Sequence, residues 1–79
     1  MNNIEKYENA FIESFEISKV QLAGLKYQGI QAWDSVGHMA LCARIEAAFD
    51  IMMEPDDIID FSSFEKGKEI LAAKYGVQF

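Results

Sequence analysis

Residues 32–41 read AWDSVGHMAL. An acid, Asp34, and a hydroxyl, Ser35, stand side by side, and the only histidine of the chain, His38, follows three residues later. Three kinds of chemistry use such a set. Ser35 and His38 could serve as nucleophile and base of a hydrolase. Asp34 and Ser35 could cap a helix. Ser35 could be a hydroxyl that another enzyme modifies. The hydrolase needs an acid to orient the imidazole and donors for an oxyanion. No second acid and no Gly-rich turn near His38 supplies either. The cap holds in any case, because either side chain can accept a hydrogen bond from the free amides of a first helical turn. A cap alone leaves the surrounding sequence unexplained.

A second group of candidate ligands lies in EPDDIIDFSSFEKGKE, residues 54–69. Counted from Asp57 as a calcium loop, the third and fifth positions are Ile59 and Phe61 and the twelfth is Lys68. A calcium loop needs oxygen ligands there. One cysteine, Cys42, and one histidine do not make a zinc site. No phosphate-cradling Gly-rich loop is present. The acids Glu54, Asp56, Asp57 and Asp60 therefore read as a solvated patch or a docking surface.

The elements that must position these residues are helical. Ile4, Tyr7, Phe11 and Phe15 recur at spacings of three and four, which predicts a helix over 3–15. Asn2 or Asn3 can cap it. Residues 17–33 show no period, and Gly24 and Gly29 interrupt any helix. Their apolar side chains, Ile17, Val20, Leu22, Leu25, Tyr27, Ile30 and Trp33, predict a long ordered loop pinned to the core. Loops of that length are often functional. Residues 35–49 form the next helix, with Leu41, Cys42, Ile45, Ala48 and Phe49 inward and Gly37, Ala40, Arg44 and Ala47 outward. Pro55 opens a short helix over 55–60. Ser62 and Glu65 have capping-box spacing, predicting a last helix over 63–75 with Phe64, Ile70, Leu71 and Tyr75 inward. Gly76 suits its stop. No segment alternates as a strand does. The fold expected is all-α: three main helices, one short helix and a long first connection.

The bulk numbers restrict the function. Seventy-nine residues make a single domain, 1–79, that buries only roughly 60–65% of its unfolded surface. Seven basic and thirteen acidic residues leave a net charge of −6, which disfavours nucleic acid and anionic membranes and favours partners with basic patches. The lone cysteine excludes an intrachain disulfide. The acidic start lacks the apolar run of a signal peptide, and no stretch reaches the roughly 20 apolar residues of a membrane span. A cytoplasmic monomer is expected.

The stretch WDSVGHMALCARIEAAFDI, followed by acidic EPDDIIDF and a closing helix, resembles the acyl carrier protein family over nearly the whole chain. The resemblance implies a non-enzymatic carrier. In that family the serine matching Ser35 bears 4′-phosphopantetheine, transferred from coenzyme A by a phosphopantetheinyl transferase. Acyl groups ride on its thiol as thioesters. Asp34 matches the family's acid, implicated in metal-assisted transfer. The physics agrees, since a phosphate at a helix N-terminus meets unpaired amides and the positive end of the dipole. An adjacent carboxylate can offer oxygen to a magnesium ion that also binds phosphate.

Typical members carry acids along the outer face of this helix. Here Ala40 and Ala47 stand there, with Glu46 kept and Arg44 added, and Gly37 and His38 replace the usual acid and hydroxyl. That departure points to a stand-alone carrier dedicated to one pathway, of lipid, surface-polysaccharide or other specialised biosynthesis, rather than to housekeeping fatty acid synthesis. Partner contacts are expected from Val36, Met39, Arg44, Glu46, Asp56 and Asp57, and an interior pocket from Met39, Cys42, Ile45 and Ile59. His38 is expected to touch the core or loop, Cys42 to be a small core residue, and Trp33 to anchor the loop. An unmodified helical interaction module with the same fold is the alternative.

The acids of the first helix and of residues 54–60 repel their own kind, and salt screens them over roughly 8–10 Å near physiological ionic strength. The melting temperature is expected to rise with moderate NaCl and further with millimolar magnesium. A flat response to both would show that the charges are too dispersed to matter.

Overall fold

The computed structural model describes residues 1–79 as four helices with no strands: α1 Asn3–Phe15, α2 Ser35–Phe49, α3 Pro55–Asp60 and α4 Phe64–Lys74. None of them is long and apolar enough to cross a membrane. Each helix start has a local cause. Asn2 accepts a hydrogen bond from the Glu5 amide at 2.9 Å, and the Glu5 carboxylate accepts one from the Asn2 amide at 3.2 Å, forming a reciprocal cap for α1. Asp34 accepts from the Gly37 amide at 2.8 Å and starts α2. Pro55 occupies the first turn of α3. Two helices end on side-chain-bearing residues in the left-handed region, Glu16 at φ 54° and Asp50 at φ 53°.

The start of α4 corrects the expectation by one residue. Ser63, not Ser62, is the cap, accepting from the Lys66 amide at 2.9 Å. Ser62 is held outside the helix by the long connection. Its carbonyl accepts from the Tyr27 amide at 2.9 Å, and the Phe64 amide donates to the Leu25 carbonyl at 2.8 Å. These two bonds make Lys26 and Ser63 an isolated antiparallel bridge. Glu65 then stands at the second helical position and cannot close a capping box. The helix stops at Lys74 rather than 75, and Gly76 at φ 69° turns the chain so that the Val77 amide reaches the Leu71 carbonyl at 3.2 Å.

The core is aromatic at its centre. Tyr7, Phe11 and Phe15 from α1 meet Trp33, Phe61 and Phe64, and Trp33 packs edge-on to Phe11 at 5.5 Å and flat on Phe15 at 5.4 Å between ring centres. Ring pairs at such separations add to the burial of their area. Leu41, Cys42 and Ile45 bring the inner stripe of α2 to the same core, and Leu22, Leu25 and Trp33 anchor the connection there. Val20, expected to be an anchor, is exposed, because it sits on a short 3-10 turn, Lys19–Gln21, that buries nothing. Tyr7 donates its hydroxyl to the Phe64 carbonyl at 2.6 Å inside the core. Burial holds that phenol far above its ordinary range, so it remains protonated and the bond persists.

The acidic segment is not uniformly solvated. Asp57 is buried, 3% exposed, between α3 and the end of α4. Its carboxylate accepts from the Lys74 ammonium at 2.7 Å and from the Tyr75 hydroxyl at 2.6 Å. The Tyr75 oxygen in turn accepts from the Glu54 amide at 2.7 Å. Asp57 is therefore a clamp, not the free docking acid expected from sequence.

The hydrogen bond from Lys74, and then that from Tyr75, hold the Asp57 carboxyl below the ordinary carboxylate range. Its folded value is depressed, so its stabilisation is fully present above the ordinary range, about pH 4 for aspartate. That stabilisation is lost as pH falls through the depressed value. Lys74 is shifted up by the same contact, and its share is lost only above the ordinary lysine range. The urea midpoint of Asp57→Asn should lie below that of wild type at pH 7, and the gap should close between about pH 5 and pH 2. A gap that is absent at pH 7, or constant down to pH 2, would refute the clamp.

Candidate functional site

The site forms where the connection runs into α2. Gln28 takes the left-handed conformation at φ 64° and donates its amide to the Trp33 carbonyl at 2.9 Å. The Gly29 amide bonds the Lys26 carbonyl at 2.8 Å, and the Trp33 amide the Ile30 carbonyl at 3.2 Å. The chain thus doubles back, and Tyr27 comes to lie beside Ser35. Trp33 is wholly buried, and Asp34 and Ser35 follow it at the surface. The approach is close. A Cβ at Gly37 would collide with the Ala32 carbonyl oxygen, so only glycine lets the loop lie against the first turn of α2.

Asp34 occupies the Gly37 amide and its own carbonyl accepts from the His38 amide at 2.8 Å. The amides of Ser35 and Val36 make no hydrogen bond within the chain. Two free donors and the positive end of a fifteen-residue helix therefore lie in the turn that carries the Ser35 hydroxyl. That hydroxyl lies 3.1 Å from the Tyr27 hydroxyl, its one hydrogen-bond partner.

His38 does not serve Ser35. Its Nδ1 accepts from the Trp33 indole N–H at 2.9 Å, and its Nε2 lies 2.7 Å from the Ile58 carbonyl. An indole N–H only donates and a carbonyl only accepts. In this pairing Nδ1 is therefore the acceptor and Nε2 the donor. Both nitrogens are engaged, and neither is free to take a proton from Ser35. The ring lies nearly parallel to Trp33, at 16°, and joins the connection, α2 and α3.

Beside Ser35 opens a cleft of about 360 Å³ between α2 and α3. Met39, Ile58, Ile59 and Phe61 give its apolar lining, and Tyr27, His38 and Ser62 its polar edge. Met39 and Ile59 are where the sequence reading expects them. Cys42 and Ile45 are not, because they are buried in the core and do not line the cleft. Burial, with the Glu46 charge adding to it, pushes the Cys42 thiol up to about 11, so it stays a protonated core group. Val36, Met39 and Ile59 remain 79%, 57% and 77% exposed around the mouth.

The other expected contact residues are divided. Asp56 is exposed, as are Glu54 and Asp60. Glu46 is half-buried and accepts from the Met53 amide at 2.8 Å, which fixes the link between α2 and α3. Arg44 lies toward α1, 3.5 Å from Glu13 in an exposed ion pair of small energetic weight. Ala40 and Ala47 are exposed, whereas Gly37 is half-buried under the loop and does not belong to the open face. Nothing in the sequence singles out Tyr27, Ile58, Phe61 and Ser62 for the site. Tyr27 read only as one of several apolar anchors, and no sequence spacing signals that a turn at Gln28 carries its hydroxyl to Ser35.

No protein-family model, no curated protein and no solved structure matches the chain.

His38→Ala leaves the buried Trp33 N–H without an acceptor and the Ile58 carbonyl without a donor. Such groups cost about 1–3 kcal/mol when left unpaired. Chemical denaturation should show a loss of that size, and the emission of the only tryptophan should shift to the red in the folded variant. An unchanged midpoint and spectrum would show that the relay is not formed.

Proposed function

We propose that the chain is an acyl carrier protein, modified on Ser35 by 4′-phosphopantetheine. One arrangement carries the reading: an exposed hydroxyl on the first residue of α2, beside a capping acid and at the mouth of an apolar cleft. The residues fit the group. The unbonded amides of Ser35 and Val36, in the first turn of α2, are available to a phosphate on Ser35 Oγ. Asp34 uses one carboxylate oxygen as a cap, and the other is free for a magnesium ion. When attached, the group supplies a thiol that carries an acyl chain as a thioester. The protein performs no catalysis in this reading. Ser35 anchors the arm, α2 orients it, and the cleft lined by Met39, Ile58, Ile59 and Phe61 offers the cargo an apolar shelter.

Its partners are a phosphopantetheinyl transferase and the enzymes that load and unload the acyl group. Val36, Met39 and Ile59 form the apolar strip they meet, and Glu54, Asp56 and Asp60 steer their basic edges. Asp57 and Glu46 are excluded from that steering by their internal bonds, and Arg44 by its place toward α1. The scarcity of carboxylates on the outer face of α2 supports service in one specialised pathway, as a cytoplasmic monomer.

Co-expression with a phosphopantetheinyl transferase should add the mass of one phosphopantetheinyl unit, and Ser35→Ala should abolish the addition. Asp34→Asn separates cap from charge, because Asn caps about as well as Asp. It should melt like wild type and be modified more slowly. Wild type left unmodified by several transferases would overturn the carrier reading in favour of an unmodified helical interaction module.

A further inference from the structure

Tyr27 is more constrained than a loop anchor needs to be. Its amide is bonded to the Ser62 carbonyl at 2.9 Å, and the adjacent Lys26 bridges Ser63. Its ring stands edge-on to Trp33 at 6.4 Å and 88°, and to His38 at 5.5 Å and 72°. The turn at Gln28 closes behind it onto Trp33. Backbone and ring are thus both fixed, and the hydroxyl they present meets one group, Ser35 Oγ at 3.1 Å. A phenylalanine would satisfy the ring packing equally well. The hydroxyl therefore needs its own explanation.

We infer that Tyr27 is a positioning residue for the Ser35 hydroxyl and later for the phosphodiester built on it. The inference rests on the carrier reading. In the transfer from coenzyme A, the Ser35 Oγ–phosphorus bond forms and the bond from that phosphorus to 3′,5′-ADP breaks. The Ser35 proton passes to a base of the transferase. With Tyr27 as donor, Ser35 Oγ is held in one rotamer and its own proton is left turned outward toward that base. Positioning of this kind lowers the orientational part of the barrier. After transfer Ser35 has no proton to donate, and the charged phosphate oxygens become the better acceptors. The Tyr27 O–H then donates to them, in a charge-assisted bond stronger than the one it replaces.

The test uses the full chain, coenzyme A with magnesium, and one promiscuous transferase. Tyr27→Phe keeps the ring and removes only the oxygen. It should melt like wild type. Its modification should fall about threefold to tenfold in kcat, the worth of one ordinary hydrogen bond, with KM for the carrier unchanged. In the modified proteins the ³¹P resonance of the phosphodiester should differ between wild type and Tyr27→Phe. Equal rates together with an identical ³¹P shift would overturn the positioning role while leaving the carrier reading intact. So would a slower rate that tracks a lowered melting temperature, because Tyr27 would then act through the fold. Failure of wild type itself to be modified overturns the carrier reading, and this inference with it.

Discussion

The buried indole of Trp33 is the constraint from which the site follows. A tryptophan fully inside a domain must place its N–H against an acceptor. The acceptor here is His38 Nδ1, at 2.9 Å. That choice fixes the tautomer, and the tautomer makes Nε2 a donor that has to find a carbonyl. Ile58 supplies it from α3. One side chain in the loop thereby sets the distance of α3 from α2, and so the width of the cleft between them. Tyr27 leans on both rings, which ties the polar edge of the cleft to the same relay.

The acidic residues divide by what their oxygens touch. Glu5, Asp34 and Glu46 each accept from a backbone amide, and Asp57 accepts from Lys74 and Tyr75. They hold helix starts and links in place, and of the four Glu5 and Asp34 remain exposed. Glu54, Asp56 and Asp60 stay in water and form a short acidic end beside the apolar mouth. This end holds only part of the acidic charge, since Glu13, Glu16, Asp50, Glu65 and Glu69 are exposed elsewhere.

Much of the helical framework was legible because it rests on local rules. Tyr7, Phe11 and Phe15 repeat at helical spacing, and Asn2, Asp34 and Pro55 mark starts that need only their nearest neighbours. The failures arise where residues far apart in sequence compete for a group. Ser62 has cap spacing, but Tyr27 claims its carbonyl, and the helix begins one residue later. Asp57 looks like its exposed neighbours until α4 brings Lys74 and Tyr75 to it. Cys42 and Met39 are three residues apart, near enough to seem to share a pocket, yet α2 sends one to the core and the other to the cleft. At the site, the hydroxyl and its cap were readable from sequence, whereas Tyr27 required the turn at Gln28.

The packing of Gly37 under the Ala32 carbonyl has a consequence for how this surface can change by mutation. Any side chain at that position must first displace the loop that carries Tyr27 and Trp33. A carboxylate cannot be added there by one substitution without also disturbing the contact between Tyr27 and Ser35. Ala40 and Ala47, exposed further along the same helix, carry no such restriction. Change of this surface is therefore open along the middle and far end of α2 and closed beside Ser35, where the loop and the start of the helix can change only together.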